Sequence, residues 1–171
     1  MLKRFIPNEY VKSIFDIRPT ALLSKGIKGI ITDLDNTLVP WNVNKPTEEI
    51  GNWIKKMKDN GIQVTIISNN NRLRVKTFSD PIEIPYVASA RKPLGRAFRQ
   101  ATKQMKLKKE EVVVIGDQLL TDILGGNRAG YYTILVVPIV QSDAAITKFN
   151  RKIERKILNR LRRKGKLKWE D

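Results

Sequence analysis

The chain has 171 residues, 41% of them hydrophobic, which is enough for one domain with a buried core. It contains neither cysteine nor histidine, which excludes disulfides, thiolate zinc sites, thiol nucleophiles, Ser-His-Asp triads and imidazole metal sites. Chemistry falls to carboxylates, lysine and hydroxyls, and a net charge of +16 favours an anionic partner, whether phosphorylated substrate, membrane or nucleic acid.

Leu2, Phe5, Ile6, Tyr10, Val11, Ile14 and Phe15 fall near helical spacing. Residues 2–15 therefore predict a short amphipathic helix, broken near Pro7, that packs on the core or, as the lesser alternative, touches a membrane. Gly29 to Thr32 is an apolar strand running into Asp33. Residues 47–60 predict a helix capped by Thr47 and stopped by Gly61. Gln63 to Ile67 is a β-branched strand ending at Ser68. Asn71 to Ser79 predicts a short helix, Ile84 to Ala88 a short strand, and Leu94 to Met105 a helix after Pro93. Val112 to Ile115 is a strong strand, followed by a helix that Gly130 ends. Thr133 to Val137 is a further strand, and 148–164 a basic amphipathic helix. Alternating strands and helices with continuous apolar strands imply an α/β fold, a Rossmann-like three-layer parallel sheet with helices on both faces. The expected organisation is one domain over 1–171 with a basic C-terminal segment, 148–168. No apolar run approaches the roughly 18 residues of a membrane span. Pro7, Asn8, Glu9 and Lys12 interrupt any signal-peptide core, so the expected location is cytoplasmic.

In such folds ligands bind beyond the carboxyl ends of the strands, where Asp33, Ser68 and Asp117 fall. At a strand end, residues two apart point the same way, so Asp33 and Asp35 are expected to face one site. Two such carboxylates repel unless a cation sits between them or one takes a proton. Phosphoryl transfer uses both solutions: Mg²⁺ between carboxylates and phosphate, or nucleophilic attack by one carboxylate with proton donation by another. The bland reading is an Asx-rich turn. Ser68 and Asn69 suit a phosphate oxygen but also simply start loops. Lys92, extended before Pro93, could neutralise phosphate and Asp33, or be one more solvated lysine. Gly116 to Asp122 (GDQLLTD) places two acids at a strand-to-helix turn, where Asp117 could bind a metal or cap the helix.

Taken in order, Asp33-Leu34-Asp35-Asn36-Thr37, Ser68, Lys92 and Gly116-Asp117 to Asp122 resemble the four motifs of the haloacid dehalogenase superfamily. The resemblance implies a phosphatase with Asp33 as nucleophile and metal ligand. Asp35 would be general acid, then base, and would bind metal through its carbonyl, while Asp117 would complete a Mg²⁺ site. Thr37, Ser68, Asn69 and Lys92 would hold phosphate, with Asp122 in support behind them. Asp33 to Ser68 spans 35 residues and Ser68 to Lys92 spans 24, so neither interval has room for a sizeable cap domain.

Longer stretches, including ITDLDNTLVPW, ARKPLGRAF and VVVIGDQLLTDILGGNRAGYYTILVVP, look like the small bacterial subfamily IIIA phosphatases. That group is similar to mitochondrial phosphatidylglycerophosphate phosphatases, which implies a phospholipid substrate. The alternatives are a soluble phosphometabolite, a phosphoprotein, or an RNA- or ribosome-associated protein on the same fold, with nucleic acid ranked lower. Between 148 and 168 stand 11 Lys or Arg and one acid, Glu154, around an apolar stripe of Phe149, Ile153, Ile157 and Leu161. Such a helix could lie on an anionic membrane, giving peripheral contact at the inner face of the cell membrane, or dock on the domain. Oligomeric state is not legible in the sequence.

Overall fold

The computed structural model describes residues 2–140 and 145–165 of the chain, with side chains for 3–140 and 151–165. Six strands form one parallel sheet: β1 (Glu9–Val11), β2 (Gly29–Thr32), β3 (Gln63–Ile67), β4 (Tyr86–Val87), β5 (Val112–Gly116) and β6 (Tyr132–Val136). Their order is β1-β6-β5-β2-β3-β4, so β2 and β5 lie at the centre. Thr32 pairs with Ile66 on one side and Ile115 on the other, so three central strands end almost level.

The helices are α1 (Pro19–Leu23), α2 (Glu48–Asp59), α3 (Arg72–Ser79), α4 (Arg96–Gln104), α5 (Leu124–Ala129) and α6 (Ala145–Arg163). Thr47 caps α2 by accepting from the Ile50 N–H at 3.2 Å, and Gly61 turns the chain at φ 78°. Alternate strand residues face opposite layers. Ile30, Val64, Ile66, Val113 and Ile115 pack with Ile50, Trp53, Ile54, Met57 and Phe78. Ile31, Ile67, Val112 and Val114 pack with Ala97, Phe98, Ala101 and Tyr131. Among the described residues no cap domain is inserted: α2 alone fills the β2–β3 crossover, and α3 with one 3-10 turn the β3–β4 crossover.

The N-terminus departs from the expected helix. Residues 2–15 form two 3-10 turns flanking β1, which joins β6 in parallel with Glu9 opposite Ile134. Pro7 stops a helix from forming, and the exposed edge of β6 supplies a backbone ladder instead. Packing on the core does occur, with Ile14 2% exposed. The helix expected after Gly116 begins as a π-turn over Leu119–Ile123 before α5. The short strand expected at 84–88 is confined to β4, and α1 was not expected at all.

The basic helix α6 docks on the domain. Leu161 is fully buried, and Ile157 and Leu158 pack against Leu119, Ile123 and Leu135. The side chains of Lys148 and Phe149, and residues 166–168 of the expected basic segment, lie outside the described residues.

Candidate active site

Asp33, Lys92, Asp117 and Asp122 meet at the carboxyl edge of the central strands. Asp33 follows β2, and its N–H still donates to the Ile115 carbonyl at 2.9 Å, which carries the sheet's rigidity one residue beyond the strand. Its Oδ1 accepts from the Leu34 N–H at 2.8 Å and lies 2.9 Å from Lys92 Nζ. Lys92 Nζ also contacts Asp122 Oδ1 at 2.6 Å. Asn69 holds the Lys92 backbone at both ends, accepting from its N–H at 2.6 Å and donating to its carbonyl at 3.1 Å. Ser68, buried at the end of β3, accepts from the Asn70 N–H at 3.1 Å.

Asp117 follows Gly116 at the end of β5. Its Oδ1 accepts from Thr37 Oγ1 at 2.9 Å and its Oδ2 from Arg151 on α6 at 2.8 Å. Asp122 reaches back from the π-turn to accept from the Gln118 N–H at 3.2 Å. A Cβ on Gly116 would sit 2.3 Å from the Asp122 carboxyl, so only glycine admits this approach.

Carboxylate oxygens of Asp33, Asp117 and Asp122 all lie within 4.8 Å of one another. Burial first, then repulsion between neighbours, raises their pKa values. Asp33 is pushed up to about 7, with Lys92 opposing the rise, and Asp117 to about 6, with Arg151 and Thr37 opposing it. Burial alone would depress the Lys92 ammonium, but Asp122 and Asp33 outweigh it and raise its pKa. Three carboxylates against two cations leave the cluster short of positive charge. That deficit, with hard oxygen donors, fits a divalent cation of the Mg²⁺ type.

Asp35 is placed differently from expectation. Its carboxylate accepts from Arg74 at 2.8 and 3.2 Å and from Asn70 at 3.1 Å, and it is not part of the carboxylate trio. The strand ends at Thr32 and Asn36 takes a positive φ of 63°, so the strand alternation that would align Asp35 with Asp33 has already stopped. Thr37 and Asn69, expected on phosphate, make their hydrogen bonds to Asp117 and to Lys92.

Sequence reasoning missed Arg74, Asn70, Arg151 and Glu154. Glu154 is 5% exposed and accepts from the Leu120 N–H at 3.1 Å; burial raises its pKa to about 7. Its isolation among 11 cations was the available signal, because a lone acid on a basic helix has a partner to find. Arg151 stands three residues before it and shares its face.

Residues 30–90 match the family model of haloacid dehalogenase-like hydrolases, and 89–163 a HAD-hydrolase-like model. A "probable phosphatase YqeG" of Bacillus subtilis is 58% identical over 172 residues, spanning all of both chains. Phosphatidylglycerophosphate phosphatase 1 of Arabidopsis thaliana is 28% identical over 94% of this chain, which spans about half (49%) of that protein. The cobalt-bound deoxy-D-mannose-octulosonate 8-phosphate phosphatase of Haemophilus influenzae superposes with TM-score 0.56 at 19% identity, over 79% of this chain and 89% of that one. At that identity the likeness is one of fold.

Proposed function

We propose, for a chain that belongs to the haloacid dehalogenase-like hydrolases and is a phosphatase, that Asp33 is its nucleophile and phosphatidylglycerophosphate its substrate. The observation that carries the nucleophile is the Asp33 carboxylate held 2.9 Å from a buried lysine at the carboxyl edge of the sheet. Support for the lipid is the similarity to the Arabidopsis enzyme over nearly the whole chain, together with the net charge of +16.

An Asp33 oxygen attacks phosphorus as the bond from phosphorus to the ester oxygen breaks. Asp35 gives its proton to the leaving oxygen. It then takes a proton from the water that attacks the aspartyl phosphate, so inorganic phosphate leaves and Asp33 is restored. This role requires the Asp35 carboxyl to turn from Arg74 and Asn70 toward the leaving oxygen. Lys92 and Ser68 hold the phosphoryl oxygens. Thr37 and Asn69 act on the phosphate through the groups they hold, Asp117 and Lys92. Asp33, Asp117 and the Asp35 carbonyl would bind Mg²⁺, with Asp122 supporting Lys92 behind them. When bound, the ion neutralises charge on the phosphoryl group.

The test is phosphate release from phosphatidylglycerophosphate in mixed micelles with Mg²⁺, for wild type and Asp33→Asn. Release by wild type alone is expected. Equal release by both sinks the nucleophile. Wild-type turnover of soluble esters with none of the lipid moves the substrate to a phosphometabolite or phosphoprotein.

A further inference from the structure

Seven large apolar side chains are exposed among the described residues, and six of them share one edge of the molecule. Phe15 follows β1, Trp41 follows β2, Leu73 follows β3, Leu94 follows β4, and Val137 and Ile139 follow β6. All six strands are parallel, so the segments that follow them converge on the edge that holds Asp33. The seventh, Leu23, ends α1. Isolated exposed apolar residues are ordinary, but six on the segments around one site form a patterned surface.

The rim is also cationic. Lys12, Lys45, Arg72, Arg91 and Arg96 are exposed on the same segments, and none pairs with a carboxylate among the described residues. Helix α6, tied to this edge by Arg151 on Asp117, adds exposed Lys152, Arg155 and Lys156. Against these eight cations the edge exposes three acids besides the site itself: Asp16, Glu48 and Glu49. A groove of about 460 Å³ crosses the rim, lined by Phe15, Val39, Val137, Ile139, Lys12 and Thr37 among others. It brings apolar surface up to the loop that carries Asp33 and Asp35.

We infer that this rim is the face by which the enzyme seats on an anionic phospholipid bilayer. The apolar side chains enter the interface, the cations meet lipid phosphates, and the site faces the headgroups. The inference rests on the proposed lipid substrate and deepens it. It differs from anchoring by the basic tail, because among the described residues of α6 Leu161 is buried and Ile157 and Leu158 pack against the domain, while Lys152, Arg155 and Lys156 are exposed. Charge and apolar area together favour a lipid surface over RNA, whose phosphates need the cations but gain nothing from exposed aliphatic side chains. Each basic residue near such a surface is worth about fivefold in partitioning.

The experiment uses the full chain with phosphatidylglycerol/phosphatidylcholine vesicles, vesicles of phosphatidylcholine alone, and an RNA 20-mer. The rim variant is Leu73→Ser/Ile139→Ser, and Leu23→Ser is the control from outside the rim. Melting temperature and turnover of para-nitrophenyl phosphate check that each variant is folded. We expect salt-sensitive binding to anionic vesicles, weakened about tenfold or more by the rim variant and unchanged by Leu23→Ser. Brominated lipid should quench Trp41 emission, read as the difference between wild type and Trp41→Phe. Three results each overturn the inference: anionic binding untouched by the rim variant, binding without Trp41 quenching, or RNA binding that is tighter and indifferent to the rim. Vesicle binding is read without any lipid turnover. Binding with no hydrolysis of phosphatidylglycerophosphate therefore discards the substrate and keeps the docking face.

Discussion

The two edges of the sheet hold their charges by different means. At the edge where strands begin, Gly26, Gly61 and Gly130 take left-handed conformations at φ 74°, 78° and 83° at no steric cost, and Glu83 and Lys106 take φ 49° and 56° without being glycine. Charges there pair across exposed surface, as in Lys28 with Glu111 at 2.8 Å. At the carboxyl edge Asn36, Ser89 and Arg91 take φ 63°, 48° and 55° without being glycine, and the charges of Asp33, Lys92, Asp117 and Asp122 are buried. Non-glycine residues in that region cost free energy and persist where the surroundings over-determine them. One edge pairs its charges across exposed surface, the other buries carboxylates against a lysine.

The largest expected effect strikes the carboxyl edge. Asp33→Asn should lower turnover at least about a thousandfold in steady-state kinetics. Its melting temperature without metal should not fall, because a desolvated charge is removed and Lys92 keeps Asp122. A large loss of stability would mean that Asp33 is structural.

Next comes Lys92→Ala. It leaves Asp33 and Asp122 buried without their common cation, so denaturant unfolding should show a loss of about 3–5 kcal/mol as well as lost activity. Added Mg²⁺ should restore part of the stability by supplying a cation to the same cluster.

A middle effect concerns pH. Glu154 carries a pKa raised to about 7 from 4.5. A raised folded pKa gives stability that is fully present below the unfolded value and lost as pH rises through the folded one. The shifts of Asp33 and Asp117 act in the same direction. Metal-free protein should therefore melt lower at pH 8 than at pH 5, and Glu154→Gln should flatten that fall by on the order of 1–3 kcal/mol. A Glu154→Gln profile that matches wild type would mean that Glu154 is solvated in solution.

The smallest effect belongs to the opposite edge. Lys28→Ala removes an exposed ion pair and should shift the melting temperature by no more than about 2 °C, with activity unchanged. A shift as large as that of Lys92→Ala would erase the contrast between the edges.

Much of this was legible in the sequence because it is local. Continuous β-branched runs specify buried parallel strands, and β2, β3 and β5 stand within a residue of where their patterns put them. Asp33, Ser68 and Asp117 follow those strands directly, so assigning the strands also placed these three residues on one edge. What the tertiary structure alone decided depends on partners distant in sequence. Glu9 to Val11 has no strand pattern of its own and becomes β1 only because β6, more than 120 residues on, leaves an edge to pair. Asp35 turns to Arg74, 39 residues away, and Asp117 to Arg151, 34 away. A buried carboxylate must find a cation wherever packing brings one, and periodicity within a helix does not say which of its charges will be that cation.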